Sequence, residues 1–436
     1  MTWLTRYRLR LYMRRSAWLF PTAMIPAALV AAPVVRYLDH VLQWDGLGYT
    51  PDGARALLGA IVPATLTMVV LILSMLLLSI QLAASQLSPR LIRGLIARRP
   101  VRACLAIFVF SYVYASAALG RIGSDVPQIG TLVAIVLTLV SVGAGIFLVD
   151  YLARELRPVQ MLARTATIGR MIIDEVYPRF STPTARPSAG EQGAVSLDPP
   201  SETLVRTRPA GVLMAMDIVG LTRLAEESGG AIEIIPQVGD FLPTGAPLFR
   251  VSGGARSIPA DRLYESVAFG DERTPEQDPT FVFRILVDVA TKALSPAIND
   301  PTTAVLAIDQ IHYLLRQVGM RRLDTGQVRD GEGTLRVLYR TPGWNDFVVL
   351  AVIEVRQYGV TSIQVARRMR AMLDDLIQAV PPERRPILEE QKRLLDTGIV
   401  RNFSDAEDRT RATTGDLQGV GGAPTEGSRS GDATAA

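Results

Sequence analysis

One cysteine and two histidines are all that the 436 residues hold of those types. With Cys104 alone, no intrachain disulfide, thiolate zinc site or iron–sulfur cluster can form. With only His40 and His312, a multi-histidine metal site is excluded too. There is no Gly-Lys-Ser/Thr phosphate loop and no Gly-x-Ser-x-Gly elbow. Nor does the inventory assemble a nucleophile with its base, so neither an enzyme nor a cofactor is expected. Lysine is nearly missing: Lys292 and Lys392 stand alone, and the formal charge of +4 rests on arginine. Those arginines are spread along the chain, not gathered on one fold, which argues against a nucleic-acid surface. Charged residues make up 20% of the chain, where a soluble domain carries roughly a quarter.

What is present instead is long apolar sequence near the N-terminus. Ser16 to Val35 is uncharged and of the length that crosses a hydrocarbon core, although it contains Pro21, Pro26 and Pro33. Ala56 to Pro89 is uncharged and longer than one crossing requires, so its latter part should stand beyond the bilayer core. Ala103 to Gly120 and Val126 to Val149 complete the set. Spans are therefore expected over about residues 16–35, 57–82, 103–120 and 128–150. Arginines 6, 8, 10, 14 and 15 precede the first span, arginines 90, 93, 98, 99 and 102 lie between the second and third, and arginines 154, 157, 164 and 170 follow the fourth. The loop 36–55 carries Asp39, Asp45 and Asp52. This bias puts both termini in the cytoplasm.

The expected architecture is a multi-pass α-helical membrane protein, four transmembrane helices followed by a cytoplasmic α+β domain. Its parts are a basic N-terminus at 1–15, a transmembrane domain at 16–155 and a connecting helix and linker at 156–203. A small β-rich module at 204–260, a mainly helical domain at 261–400 and a disordered tail at 404–436 follow. The rhythm of Val238-Gly-Asp-Phe-Leu-Pro-Thr-Gly-Ala-Pro-Leu-Phe249 resembles lipoyl and biotinyl carriers. No lysine between 203 and 260 could accept such a group, so the module reads as structural.

Three stretches carry a family resemblance: Gln86-Leu-Ser-Pro-Arg90, Gly270-Asp-Glu-Arg-Thr274 with Gln277-Asp-Pro279, and Lys292-Ala-Leu-Ser-Pro-Ala-Ile-Asn-Asp-Pro-Thr-Thr-Ala304. On these the chain resembles the bacterial predicted membrane proteins grouped as domain of unknown function 2254, from about Arg6 to Leu395. The resemblance implies four spans, a cytoplasmic C-terminal half and a place in the bacterial plasma membrane. It brings no activity and no catalytic residue.

Thr67, Ser74, Gln81, Ser85 and Ser88 share one face of the second span at helical pitch. They are candidates for lining a pore built by several copies, or for bonding across a buried helix interface. Depth in the bilayer holds no ionisable group, which argues against proton-coupled transport. In the signature loop, Lys292, Ser295, Pro296, Asn299, Asp300 and Pro301 are candidate ligand contacts. Asp300 before Pro301 is equally a helix start. Asp271, Glu272, Glu276 and Asp278 form an acidic loop without the ligand spacing of a calcium site. Arg367, Arg368 and Arg370 on one helix read as exposed. The functional expectation is an oligomeric, channel-like membrane protein with a cytoplasmic gating or assembly domain. The alternative is a non-conducting scaffold or sensor that binds a partner of unknown identity. The bilayer and further copies of the chain are the expected partners.

Overall fold

The apolar stretches form helices, as their length and composition require. In a computed structural model of the chain, which describes residues 2–16, 18–44, 46, 48–86, 98–123, 127–177, 201–323 and 326–422, helix α1 spans Trp3–Arg15 and α2 Leu19–Leu42. Helices α3 (Pro51–Gln86), α4 (Arg99–Leu119) and α5 (Gln128–Glu155) follow. Helices α2 to α5 are each long and apolar enough to cross a membrane. Pro26 and Pro33 lie inside α2 and Pro63 inside α3, where neighbouring helices can re-satisfy the freed carbonyls. The chain divides into two compact units, Leu9–Met161 and Met1–Arg8 with Leu162–Ala436.

Within the first unit α4 is the most enclosed of the four spans, and small residues let its neighbours approach. Ala28 and Ala32 of α2, Ala54 of α3 and Ala115 and Ala118 of α4 share one buried cluster. Ser141 and Gly145 of α5 are both buried. The Ser141 hydroxyl donates to Ser111 Oγ at 2.8 Å, and a Cβ on Gly145 would meet Met68 Cε at 2.7 Å. At one end of the bundle Arg36 and Arg55 donate to the carbonyls of Arg121 and Ile122 at 3.0 and 3.2 Å, and Asp39 accepts from the Ile129 N–H at 2.8 Å. At the other end Arg98 pairs with Glu155. Charge thus gathers at the helix ends and leaves the middle of each span uncharged.

The second unit begins in helix α6 (Pro158–Val176), whose Gly169 lies where a Cβ would stand 2.8 Å from Val282 and 3.0 Å from Leu314. Strands β1 (Ser201–Val205) and β2 (Gly211–Met216), helix α7 (Ile218–Ser228) and strand β3 (Gly230–Ile234) come next. Strands β4 (Phe241–Leu242) and β5 (Pro247–Gly253), the short helix α8 (Ala260–Tyr264) and strand β6 (Val267–Gly270) complete the first run. Two long helices follow, α9 (Pro279–Ala293) and α10 (Pro301–Gly319). Then come strands β7 (Gln327–Arg329) and β8 (Leu335–Tyr339), and helices α11 (Trp344–Gly359), α12 (Ile363–Ala379), α13 (Arg385–Asn402) and α14 (Ala406–Thr413). A five-stranded sheet has the order β1-β5-β3-β8-β7, with β3 and β8 parallel, and a three-stranded sheet the order β4-β2-β6. Helix α7 covers β3 and β8 over a core of Leu221, Ile232, Ile234, Phe249 and Val337. The helical part is centred on Phe283, Leu315, Phe347 and Leu373, all without solvent exposure.

Three expected boundaries shift. The β-rich module does not close at 260: β6, β7 and β8 lie within the stretch read as mainly helical, and β8 pairs with β3. The missed signal is a hairpin turn, Asp330-Gly-Glu-Gly333, in which Asp330 accepts from the Glu332 and Thr334 N–H groups at 3.0 and 2.9 Å. The connecting segment 156–203 contains α6, which from Leu162 belongs to the second unit, and the start of β1, while residues 178–200 lie outside the described residues. The tail from 404 is ordered as far as it is described. Helix α14 is capped by Asp405, and the turn beyond it accepts hydrogen bonds from α12. Residues 423–436 lie outside the described residues.

Candidate functional site

On α3 the polar stripe and the packed face are opposite one another. Leu58, Thr65, Ile72 and Leu76 are buried against the rest of the unit. Thr67, Ser74 and Gln81 lie about 180° from that row by the helical turn of about 100° per residue, and all three are exposed on the single chain. Within the single chain none of these three side chains is buried against a neighbouring helix. Two of the hydroxyls bond within the helix: Thr67 donates to Pro63 O at 2.8 Å and Ser74 to Val70 O at 2.9 Å. Such back-bonding satisfies the hydroxyl and makes it tolerable in lipid. Leu66, Val70, Leu71, Leu77 and Leu78 beside the stripe are exposed large hydrophobics. Ser85 lies in the last turn of α3, and Ser88 lies outside the described residues.

The signature loop is a tight connection between α9 and α10. Lys292 and Ala293 end α9, and the Ser295 hydroxyl donates to Lys292 O at 2.7 Å. The chain then passes through exposed Pro296 to Asn299, whose N–H donates to Ser295 O at 2.8 Å and whose φ is +48°. Asparagine is among the few residues that take this left-handed conformation readily. Asp300 donates its N–H to Ala293 O at 2.7 Å, and its carboxylate caps α10 by accepting from Thr303 N–H at 3.0 Å, with Pro301 at the first helical position. The loop therefore spends its distinctive residues on turning the chain between two buried helices.

In the acidic loop Asp271 and Glu272 are exposed, whereas Asp278 is buried. Asp278 caps α9, accepting from the Phe281 N–H at 3.1 Å and from the Thr280 hydroxyl. Burial pushes its carboxyl above the usual range, against the pull of those bonds and of Arg273. Among the described residues no group of three His, Cys, Asp or Glu side chains is placed to hold a metal ion.

Arg367 and Arg368 are buried, not exposed. Arg367 donates to Thr414 O at 3.1 Å and Gly422 O at 2.8 Å. Arg368 pairs with Asp309 and reaches His312 Nδ1 at 3.0 Å, while His312 Nε2 lies 2.7 Å from Asp375 Oδ2 and Arg316 pairs with that same carboxylate. The helical pattern alone could not reveal this, because the partners come from α10 and from the tail. A cleft beside Arg206 and Arg208 was also not legible in the sequence, since its walls converge from the β1–β2 connection, α8 and β6.

Four helices able to cross a bilayer, followed by a unit of mixed helix and sheet, define a multi-pass α-helical membrane protein. Its signature loop and apolar spans point to one group within that class. The family described as predicted membrane protein (DUF2254) matches residues 14–375, and the chain belongs to it. An uncharacterized protein of Mycobacterium bovis and another of Mycobacterium tuberculosis are each 27% identical over 421 residues, which covers 91% of this chain and 79% of theirs. No solved structure matches the chain.

Proposed function

We propose that this is a non-enzymatic, oligomeric, channel-like protein of the bacterial plasma membrane, with both termini cytoplasmic and the second unit serving gating or assembly. The observation that carries the reading is the outward polar stripe of α3, with Thr67, Ser74 and Gln81 exposed opposite the face that α3 buries in its own unit. Copies that turn these stripes towards one another would enclose a polar, water-accessible path. The scaffold or sensor reading is favoured by a different feature, the arginine-lined cleft of the second unit. The test uses Cys104→Ala as background, so that the added thiol is the only one. Cysteine replacing Ser74 or Gln81 should react with small water-soluble thiol reagents and reduce conductance in planar bilayers. Cysteine replacing Ile72, 6% exposed on the packed face, should be protected. Equal protection at all three positions in electrically silent bilayers would overturn the channel reading and leave the scaffold.

A further inference from the structure

The segment Arg206-Thr-Arg-Pro-Ala-Gly211 leaves β1 and enters β2. Its first residue is fixed by the chain around it: Arg206 N–H donates to Ala246 O at 2.8 Å, and Arg206 O accepts from Gly245 N–H at 2.8 Å. The two arginines lie over two aromatic rings. Arg206 Cζ is 3.6 Å from the centroid of Phe269, and Arg208 Cζ is 5.9 Å from that of Tyr264. Together with Asp271 and with Arg8 of the same compact unit, these side chains line a cleft of about 220 Å3.

Arg206 is 5% exposed, yet no carboxylate pairs with it among the described residues. Its Nε donates to Pro209 O at 2.9 Å, and Nη2 reaches the same oxygen. A neutral carbonyl engages Nε and Nη2 but leaves the charge uncompensated, and a buried charge without a counter-ion is costly. Stacking on the Phe269 face offsets part of that cost. Burial first, and then the charge of Arg208, hold the Arg206 guanidinium below its ordinary pKa, as expected where positive charge is crowded. Asp271 is exposed and makes no ion pair with these arginines among the described residues. Gly211 keeps the wall open: a Cβ there would stand 3.1 Å from Gly270 O and 3.3 Å from Arg206 Nη2.

We infer that this cleft binds a phosphate group, with the exposed Arg208 guanidinium gripping its oxygens and the phosphate charge compensating that of Arg206, which Pro209 O and the Phe269 ring hold in place. A planar donor fork stacked on a ring suits bidentate oxyanion recognition. The small volume suits a phosphate ester or a phospholipid headgroup better than a large extended ligand. The site is independent of whether α3 lines a pore.

The test takes the full chain in detergent, titrated with inorganic phosphate and with glycerol 3-phosphate against chloride at equal ionic strength. In parallel, the chain is placed in nanodiscs with and without phosphatidylglycerol, and Tm is followed in both settings. Tm of the unaltered chain should rise with at least one of these three probes. Arg208 is exposed, so Arg208→Ala should keep the Tm of the unliganded protein while binding about tenfold more weakly. Gly211→Ala should also weaken binding, because the added methyl presses on Arg206. A response to the soluble probes assigns the site to a free phosphate ester, and a response confined to phosphatidylglycerol discs assigns it to lipid. No response to any probe, or equal affinity in Arg208→Ala and the unaltered chain, would overturn the inference.

Discussion

Because a guanidinium only donates, the contact of Arg368 Nη2 with His312 Nδ1 at 3.0 Å makes Nδ1 an acceptor, and the proton sits on Nε2 facing Asp375. His312 is thus neutral in the folded chain. Burial lowers its pKa, and the charges of Arg368 and Arg316 lower it further, against the opposing pull of Asp375. The unfolded chain takes up this proton near the ordinary histidine value of 6.5 while the folded chain still refuses it. Stability is therefore full above that pH and is lost as pH falls below it towards the folded value. Between pH 7.5 and 5.5, Tm of the unaltered chain should drop by a few degrees more than that of His312→Gln, followed by the near-ultraviolet signal. Parallel pH profiles for the two would refute the neutral assignment. Asn299 shows what a residue can and cannot announce: its left-handed φ is visible only in the fold, whereas Asp300 before Pro301 declared a helix start from sequence alone.

At the scale of elements, legibility followed the range of the signal. Apolar length marked α2 to α5, and Asp300 before Pro301 marked the start of α10, because each signal is complete within its own helix. β7 and β8 were not legible, since these short strands owe their state to pairing, β8 with β3 and β7 with β8. The polar stripe of α3 was legible as a stripe, but the direction it faces depended on which row its neighbours buried. The ordered tail was missed for the same reason. Its apolar content is low, and what holds it is polar: Arg367 donates to Thr414 O and Gly422 O, and Asp416 accepts from the Gln418, Gly419 and Gly421 N–H groups. A chain stopped after Phe403 should lose about 1–3 kcal/mol relative to one stopped after Gly422, because the buried arginine donors lose their acceptors. Denaturant titration of the two truncations measures this, and identical midpoints would show the tail to be a passenger.

For the whole molecule, orientation is argued from arginine alone. Reporters fused after Arg15, near Arg98 and after Leu395 should read cytoplasmic, and fusions near Gln43 and Gly123 should read external. A cytoplasmic signal near Gln43 would reject the four-span arrangement. The second unit cannot be cut into a sheet module and a helical module, because β8 reaches β3 only after α9 and α10 have intervened in the sequence. That order has a consequence in time. During synthesis β3 and β5 emerge and pair while β8 is still to be translated, so the far side of β3 waits as a bare strand edge. Bare edges recruit other chains. A nascent chain stalled between Gly270 and Tyr339 should therefore aggregate more readily than the finished chain, and the arrival of the Asp330 hairpin ends that exposure.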